Sequence, residues 1–136
     1  MIGKISEFDQ FITDHRWAVL TTMRKTGQPV SSVVAYARDG DALVVSTPGA
    51  TFKRKSLETD DHATLCIITN QEPFNFVSVE GSMVIETTEL VDNTRLVFRN
   101  IADTDYQEPE DLEQWLISQE RVILRLNPSR VYGVIR

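Results

Sequence analysis

The segment Ser46-Thr47-Pro48-Gly49-Ala50-Thr51-Phe52-Lys53-Arg54-Lys55 holds the residues best suited to chemistry in this chain. Two hydroxyls end an apolar run, a loop of small residues follows, and basic residues open what reads as a short helix. A helix start offers backbone N–H groups without partners and the positive end of the dipole, which together suit phosphate. Lys53 and Lys55 would supply charge, and Ser46, Thr47 and Thr51 neutral donors. The same residues also describe a plain surface helix capped by Thr51. Cations in a first turn oppose the helix dipole, and a bound anion would remove that conflict.

The other candidates are sparser. Cys66 is the single cysteine and His15 and His62 the only histidines, which argues against a Cys/His metal site or a Cys–His pair. No metal is expected. Cys66 sits in the β-prone run Ala63 to Ile68 and reads as a small buried core residue. Asp60-Asp61 and Glu110-Asp111 read as solvated turn residues rather than catalytic dyads. Tyr36 and Tyr132 carry phenols that could give a proton, but read more simply as barrel or interface residues. No catalytic residue is identified.

The elements that must position the Ser46–Lys55 segment follow from periodicity. Ser6 reads as an N-cap, with Phe8, Phe11 and Ile12 at helical spacing behind it. Strands are expected over 17–23, 30–37, 42–47, 63–69 and 74–86, with Gly81 a bulge or barrel corner. Gly27 and the Asp39-Gly40 pair mark tight turns. Asp92 reads as the cap of one late helix, and a second follows Pro109. The chain closes with runs over 121–126 and 130–135, broken at Pro128. Six or seven strands in hairpin order, with few helices between them, favour a small closed barrel over a doubly wound sheet.

At 136 residues, the chain fits a single domain, residues 1–136, large enough for a core without staples. A formal charge of −6 excludes a general nucleic-acid or membrane-surface binder. No apolar run suggests a signal peptide or a membrane span, so a cytoplasmic protein is expected. Doublets such as Val33-Val34, Val44-Val45 and Ile67-Ile68 put apolar side chains on both faces of strands. A small barrel has one interior, so the surplus suggests cover by helices or a partner.

The order of these motifs resembles a known family. Gly27-Gln28-Pro29, Asp39-Gly40-Asp41, the strand ending Ser46-Thr47, Lys53-x-Lys55-Ser56-Leu57, Val77 to Met83 and Leu126 to Gly133 together look like the pyridoxamine 5'-phosphate oxidase-like flavin-binding split barrel. The resemblance implies a mainly β fold, an antiparallel Greek-key split barrel flanked by short helices. It implies a cofactor, either FMN or the deazaflavin coenzyme F-420, whose phosphate meets Ser46, Thr47, Thr51, Lys53 and Lys55. Strand two around Val33 and Val34 would run along the ring edge, and Phe76 falls where pyridoxamine oxidases carry a polar residue near the flavin. It also implies a homodimer with cofactor sites at the subunit boundary.

Ser56 stands where the family often has Asn, and His62 where it often has Pro. No Arg and His pair like the one that grips pyridoxal phosphate follows Tyr132-Gly133. The expectation is therefore an enzyme of the short deazaflavin-dependent branch, transferring a hydride between coenzyme F-420 and a small organic substrate. The alternatives are an FMN-dependent oxidase or reductase, and a non-catalytic flavin or deazaflavin carrier.

Overall fold

The computed structural model describes residues 1–136, apart from the side chains of Phe52 and Lys53. The expectation for the Lys53 side chain therefore lies outside the described residues. The elements are α1 (Ser6–Asp14), β1 (Trp17–Met23), β2 (Pro29–Ala35), β3 (Ala37–Asp39), β4 (Ala42–Pro48), α2 (Phe52–Thr59), β5 (His62–Ile68), β6 (Phe76–Glu86), α3 (Leu90–Asn100), α4 (Leu112–Ser118) and β7 (Arg121–Val134). One antiparallel sheet runs β2-β1-β5-β6-β7-β4-β3. The expected mainly β split barrel is what forms.

The sheet's two edge strands, β2 and β3, are consecutive in the chain and joined through Tyr36 alone. The expected single strand over 30–37 is thus two strands, and its break closes the barrel. Up to Ala35 the chain pairs with β1, as in Ala35↔Trp17. From Ala37 it pairs with β4, as in Ala37↔Val44. Tyr36 is fully buried, and its hydroxyl donates to the Ile12 carbonyl at 2.6 Å. Asn100, the last residue of α3, donates its amide to the carbonyls of His15 (3.1 Å) and Tyr36 (2.8 Å). These bonds end the β1–β2 ladder and let the chain cross to β4, satisfying backbone groups that would otherwise lie unpaired at the crossing.

Period-two alternation fills the interior. Leu20, Leu43, Val45, Leu65, Ile67, Val79, Leu124 and Leu126 form the core with Tyr36, and Phe11 and Ile12 of α1 close one end. A second, smaller cluster lies outside the barrel, where Val97 of α3 packs on Val44 and Ile123. Part of the surplus apolar surface expected from Val44-Val45 is therefore covered by a helix of the same chain.

Several local expectations are corrected. Ser6 is the first residue of α1, not its cap; the cap position falls on Ile5 and no side chain bonds there. The Asp9 carboxylate instead accepts the Ile2 backbone N–H at 2.8 Å. α3 begins at Leu90, so Asp92 sits in its first turn rather than before it. β7 runs unbroken through Pro128, because the ladder slips there: Glu80 pairs Arg130 but Gly81 pairs Pro128. Proline is tolerated at such a bulge, where its missing N–H costs no ladder bond. Gly81 is the expected irregularity, and a Cβ there would run into the Asn127 carbonyl. Cys66 is not in the core. Alternation turns Leu65 and Ile67 inward and leaves the free Cys66 thiol half-buried on the outer face.

No helix among the described residues is long and apolar enough to cross a membrane.

Candidate functional site

β4 carries the phosphate candidates to the point where the barrel splits. Its pairing with β3 covers only Ala42 to Val44, so Val45 to Pro48 have no strand on that side. β2, pairing only with β1, likewise offers an unpaired edge. Counted on from Ala37↔Val44, Val34 would face Thr47 had the ladder continued. The two strands instead part, leaving between them backbone N–H and C=O groups able to bond the polar edge of a planar ring.

At the end of β4 the Thr47 and Thr51 hydroxyls bond each other at 2.9 Å, with Thr47 buried. Thr51 occupies the cap position of α2 but makes no side-chain cap bond, contrary to the sequence reading. Its hydroxyl is turned to Thr47, so the first N–H groups of α2 are left to another acceptor. The Ser46 hydroxyl oxygen is buried without a partner among the described residues. Lys55 is exposed.

Two arginines frame this loop. Arg54 donates to the Gly49 carbonyl at 3.0 Å and faces Glu58 across 3.8 Å. Gly49 donates its N–H to the Glu120 carbonyl at 2.6 Å, and a Cβ there would collide with that carbonyl. Arg121, paired with Pro48 in the β4–β7 register, lies over the Trp115 ring at 4.3 Å. Burial pulls the Arg121 guanidinium below its ordinary value. The Nε atoms of Arg54 and Arg121 are both buried without a hydrogen-bond partner among the described residues. Arg121 was not singled out from sequence, because only the β4–β7 register brings it to the loop.

The other candidates lie elsewhere. Val33 is 66% exposed on the outer face of β2, whereas Val34 is buried in the core and can meet a ligand only through its backbone. Phe76 is half-buried on the outer face of β6, in register with Ile68 of β5 and Val134 of β7. Three strand spacings, roughly 14 Å, separate β6 from β2. Within one chain the Thr47 and Thr51 hydroxyls meet, Ser46 projects from the opposite face of β4, Lys55 is exposed on α2, Val33 and Val34 lie on β2, and Phe76 lies three strands from them on β6.

The outer face between β2 and β7 carries residues in register, among them the row Val33–Val19–Cys66–Ser78–Tyr132, the pair Ala35–Trp17 and the row Ile68–Phe76–Val134. Val33, Tyr132 and Val134 remain exposed.

Asp60, Asp61 and His62 bring three potential ligand atoms within 4.8 Å of one another at the turn into β5. The Asp60 carboxylate accepts both the backbone N–H of His62 (2.9 Å) and its Nδ1 (2.8 Å). The backbone bond and then the imidazole lower the Asp60 pKa, while Asp60 raises that of His62. With His62 84% exposed, this is a solvated turn.

A model of the family described as pyridoxamine 5'-phosphate oxidase matches residues 5–135. Among solved structures, an F420 reductase superposes with a TM-score of 0.73 at 17% identity, over 91% of this chain and 94% of that one. A FAD-binding protein from Mesorhizobium loti gives 0.71 at 17% identity, over 96% and 93%. General Stress Protein 26 from Bacillus anthracis gives 0.71 at 19% identity, over 95% and 92%. At these identities the superpositions establish a shared fold.

Proposed function

The chain belongs to the pyridoxamine 5'-phosphate oxidase family, and from that premise we propose that it is an oxidoreductase that binds a flavin-type cofactor in the split between β2 and β4. The observation that carries this reading is the set of unmet donors around the loop after β4. The Ser46 hydroxyl and the Arg121 Nε are buried without hydrogen-bond partners among the described residues, and the buried Arg54 Nε has only the Glu58 carboxylate 3.8 Å away, beside a helix start with no side-chain cap. Each such group costs about 1–3 kcal/mol when left unpaired, more if charged. A phosphate at this loop would be met by these side chains once they turn out toward it, and the donor types fit the ribityl phosphate shared by FMN and the deazaflavin.

When bound, the cofactor supplies hydride chemistry; the chain supplies position and electrostatics. Ser46, Thr47, Thr51, Lys53 and Lys55 hold the phosphate, and the β2 backbone at Val33 and Val34 holds the ring edge. The preferred partner is the deazaflavin, with a small organic substrate, and FMN is the alternative.

The reading extends to a homodimer formed through the outer face of β2, β1, β5, β6 and β7. The apolar residues Trp17, Ile68, Phe76 and Val134 lie there, and a second copy would cover them. Phe76, distant from its own chain's phosphate loop, would then serve the partner's cofactor. A cytoplasmic location goes with this reading.

The test is a double substitution, Lys53→Ala with Lys55→Ala, and titration with FMN and with coenzyme F-420. Each lost charge-assisted contact should weaken binding by roughly 1.5–3 kcal/mol. Unchanged affinity in a folded variant refutes the phosphate assignment.

A further inference from the structure

Between the N-terminal segment and the second half of β7 lies a cleft of about 400 Å³, within the size range of small-molecule sites. Gly3, Lys4, Ile5 and Phe8 form one wall, and the 128–131 stretch of β7 forms the other. Both walls are fixed by the fold. Ile2 is buried in the core, and its N–H is bound by the Asp9 carboxylate at 2.8 Å. Gly3 follows at φ +75, and a Cβ there would stand 3.0 Å from the Val131 Cβ. Glycine alone lets the backbone take that turn so close to β7. On the far wall, Glu80 pairs Arg130 while Gly81 pairs Pro128, which leaves Ser129 as the extra residue of the bulge. Its hydroxyl donates to the Glu80 carbonyl at 3.2 Å.

The lining is apolar and positively charged. Phe8 and Val131 pack half-buried against the core, and Ile5 beside them is left 51% exposed. Val131 is in register with the core residue Val79, so this wall belongs to the inner side of the sheet and not to its outer rows. The charged residues of the lining are Lys4 and Arg130, both exposed, and neither has an ion pair among the described residues. Glu80, opposite Arg130 across the ladder, closes no bond to it, and the guanidinium rests 5.7 Å from the centroid of the Tyr132 ring. The chain carries a formal charge of −6, and four other clefts on its surface each include a carboxylate. This cleft includes none. Such a lining draws in an anion, and its apolar wall covers a hydrophobic body.

We propose that this cleft binds an amphipathic organic monoanion, an apolar body that carries one carboxylate or sulfonate. The body lies on Ile5, Phe8 and Val131, and the head meets Lys4 and Arg130. Lys4 brings a compact point charge and Arg130 a planar fork of donors, and the oxygens of either head group accept from both. The site goes beyond the function proposed above and does not rest on it. No residue of β2, β4 or α2 lines the cleft, so it is separate from the split that would hold a cofactor.

The probe is anilinonaphthalene sulfonate, titrated into the full chain without added cofactor and followed by its fluorescence. Phenylnaphthylamine, the same skeleton without the sulfonate, is the uncharged reference. The wild type should bind the sulfonate dye saturably. Lys4→Gln combined with Arg130→Gln, both at exposed positions, should weaken the sulfonate dye roughly three- to tenfold and leave the uncharged dye within about twofold. Ile5→Ser should weaken both dyes. Circular dichroism confirms that the variants fold. Salt gives a second reading that needs no substitution: raising ionic strength from about 0.01 to about 1 M should weaken the sulfonate dye relative to the reference in the wild type. The site is overturned if the sulfonate dye does not bind, if the double variant binds it as the wild type does, if Ile5→Ser changes neither dye, or if salt shifts both dyes alike.

Discussion

Replacing Tyr36 with Phe removes one oxygen from the residue that joins the two edges of the sheet. The hydroxyl donates to the Ile12 carbonyl at 2.6 Å inside a fully buried site. Ile12 lies in the last turn of α1, where helix carbonyls have no backbone donor of their own. The substitution therefore strands a buried acceptor, and the expected loss at pH 7 is about 1–3 kcal/mol. For a domain of this size that is a fall in Tm of roughly 3–6 °C per kcal/mol. The pH dependence makes the test specific. Burial raises the Tyr36 phenol far above its ordinary value. The folded protein then holds the proton after the unfolded chain has released it. The phenol's contribution is complete below about pH 10, the unfolded value, and falls by about 1.4 kcal/mol per pH unit above it. The variant lacks this fall, so the stability gap between the two proteins should narrow above pH 10. Urea unfolding at pH 7, 10 and 11 measures it. A gap of zero at pH 7, or one that stays constant to pH 11, would refute the reasoning.

Asn100→Leu leaves the carbonyls of His15 and Tyr36 without their donor and should cost about 2–4 kcal/mol in urea unfolding, two lost partners in one place. Gly81→Ala forces a Cβ against the Asn127 carbonyl at the β6–β7 bulge, and should lower Tm by several degrees in calorimetry while Gly27→Ala, an open turn at φ +90, costs only the backbone strain. Asp9→Asn tests the acid limb. The Ile2 N–H, and then Arg38, lower the Asp9 pKa, so its stabilisation is present above about pH 4 and lost as pH falls further. The variant should be less stable than wild type at pH 7 and converge with it near pH 2, as followed by circular dichroism.

Much of this fold was legible because local rules and tertiary structure agree. Alternation placed β1, β4, β5 and β6 within a residue or two, and Asp39-Gly40 and Gly27 marked turns with positive φ. The break at Tyr36 was not legible. Nothing in the continuous apolar run Val33-Val34-Ala35-Tyr36-Ala37 marks a strand that changes partner, since the groups that bond Tyr36 at the crossing come from Ile12 and from Asn100, more than sixty residues away. Pro128 misled for a related reason: only the register opposite Gly81 shows that it sits at a bulge. Cys66 followed its type's habit in the sequence reading, but the phase of the strand decided its face. At the site, the hydroxyls and lysines were readable from their order along the chain. Arg121 was not, because register rather than proximity in sequence brings it beside Pro48.

The central claim is that unmet donors at the β4–α2 loop hold a cofactor phosphate. The most direct measurement is equilibrium binding of FMN and of coenzyme F-420 to the purified protein, in parallel with Lys53→Ala/Lys55→Ala and with Ser46→Ala. The account predicts saturable binding of at least one of the two, tightest for the deazaflavin, weakened by more than tenfold in the double variant and by less in Ser46→Ala. Failure of both to bind, or binding that both variants leave unchanged, would contradict it.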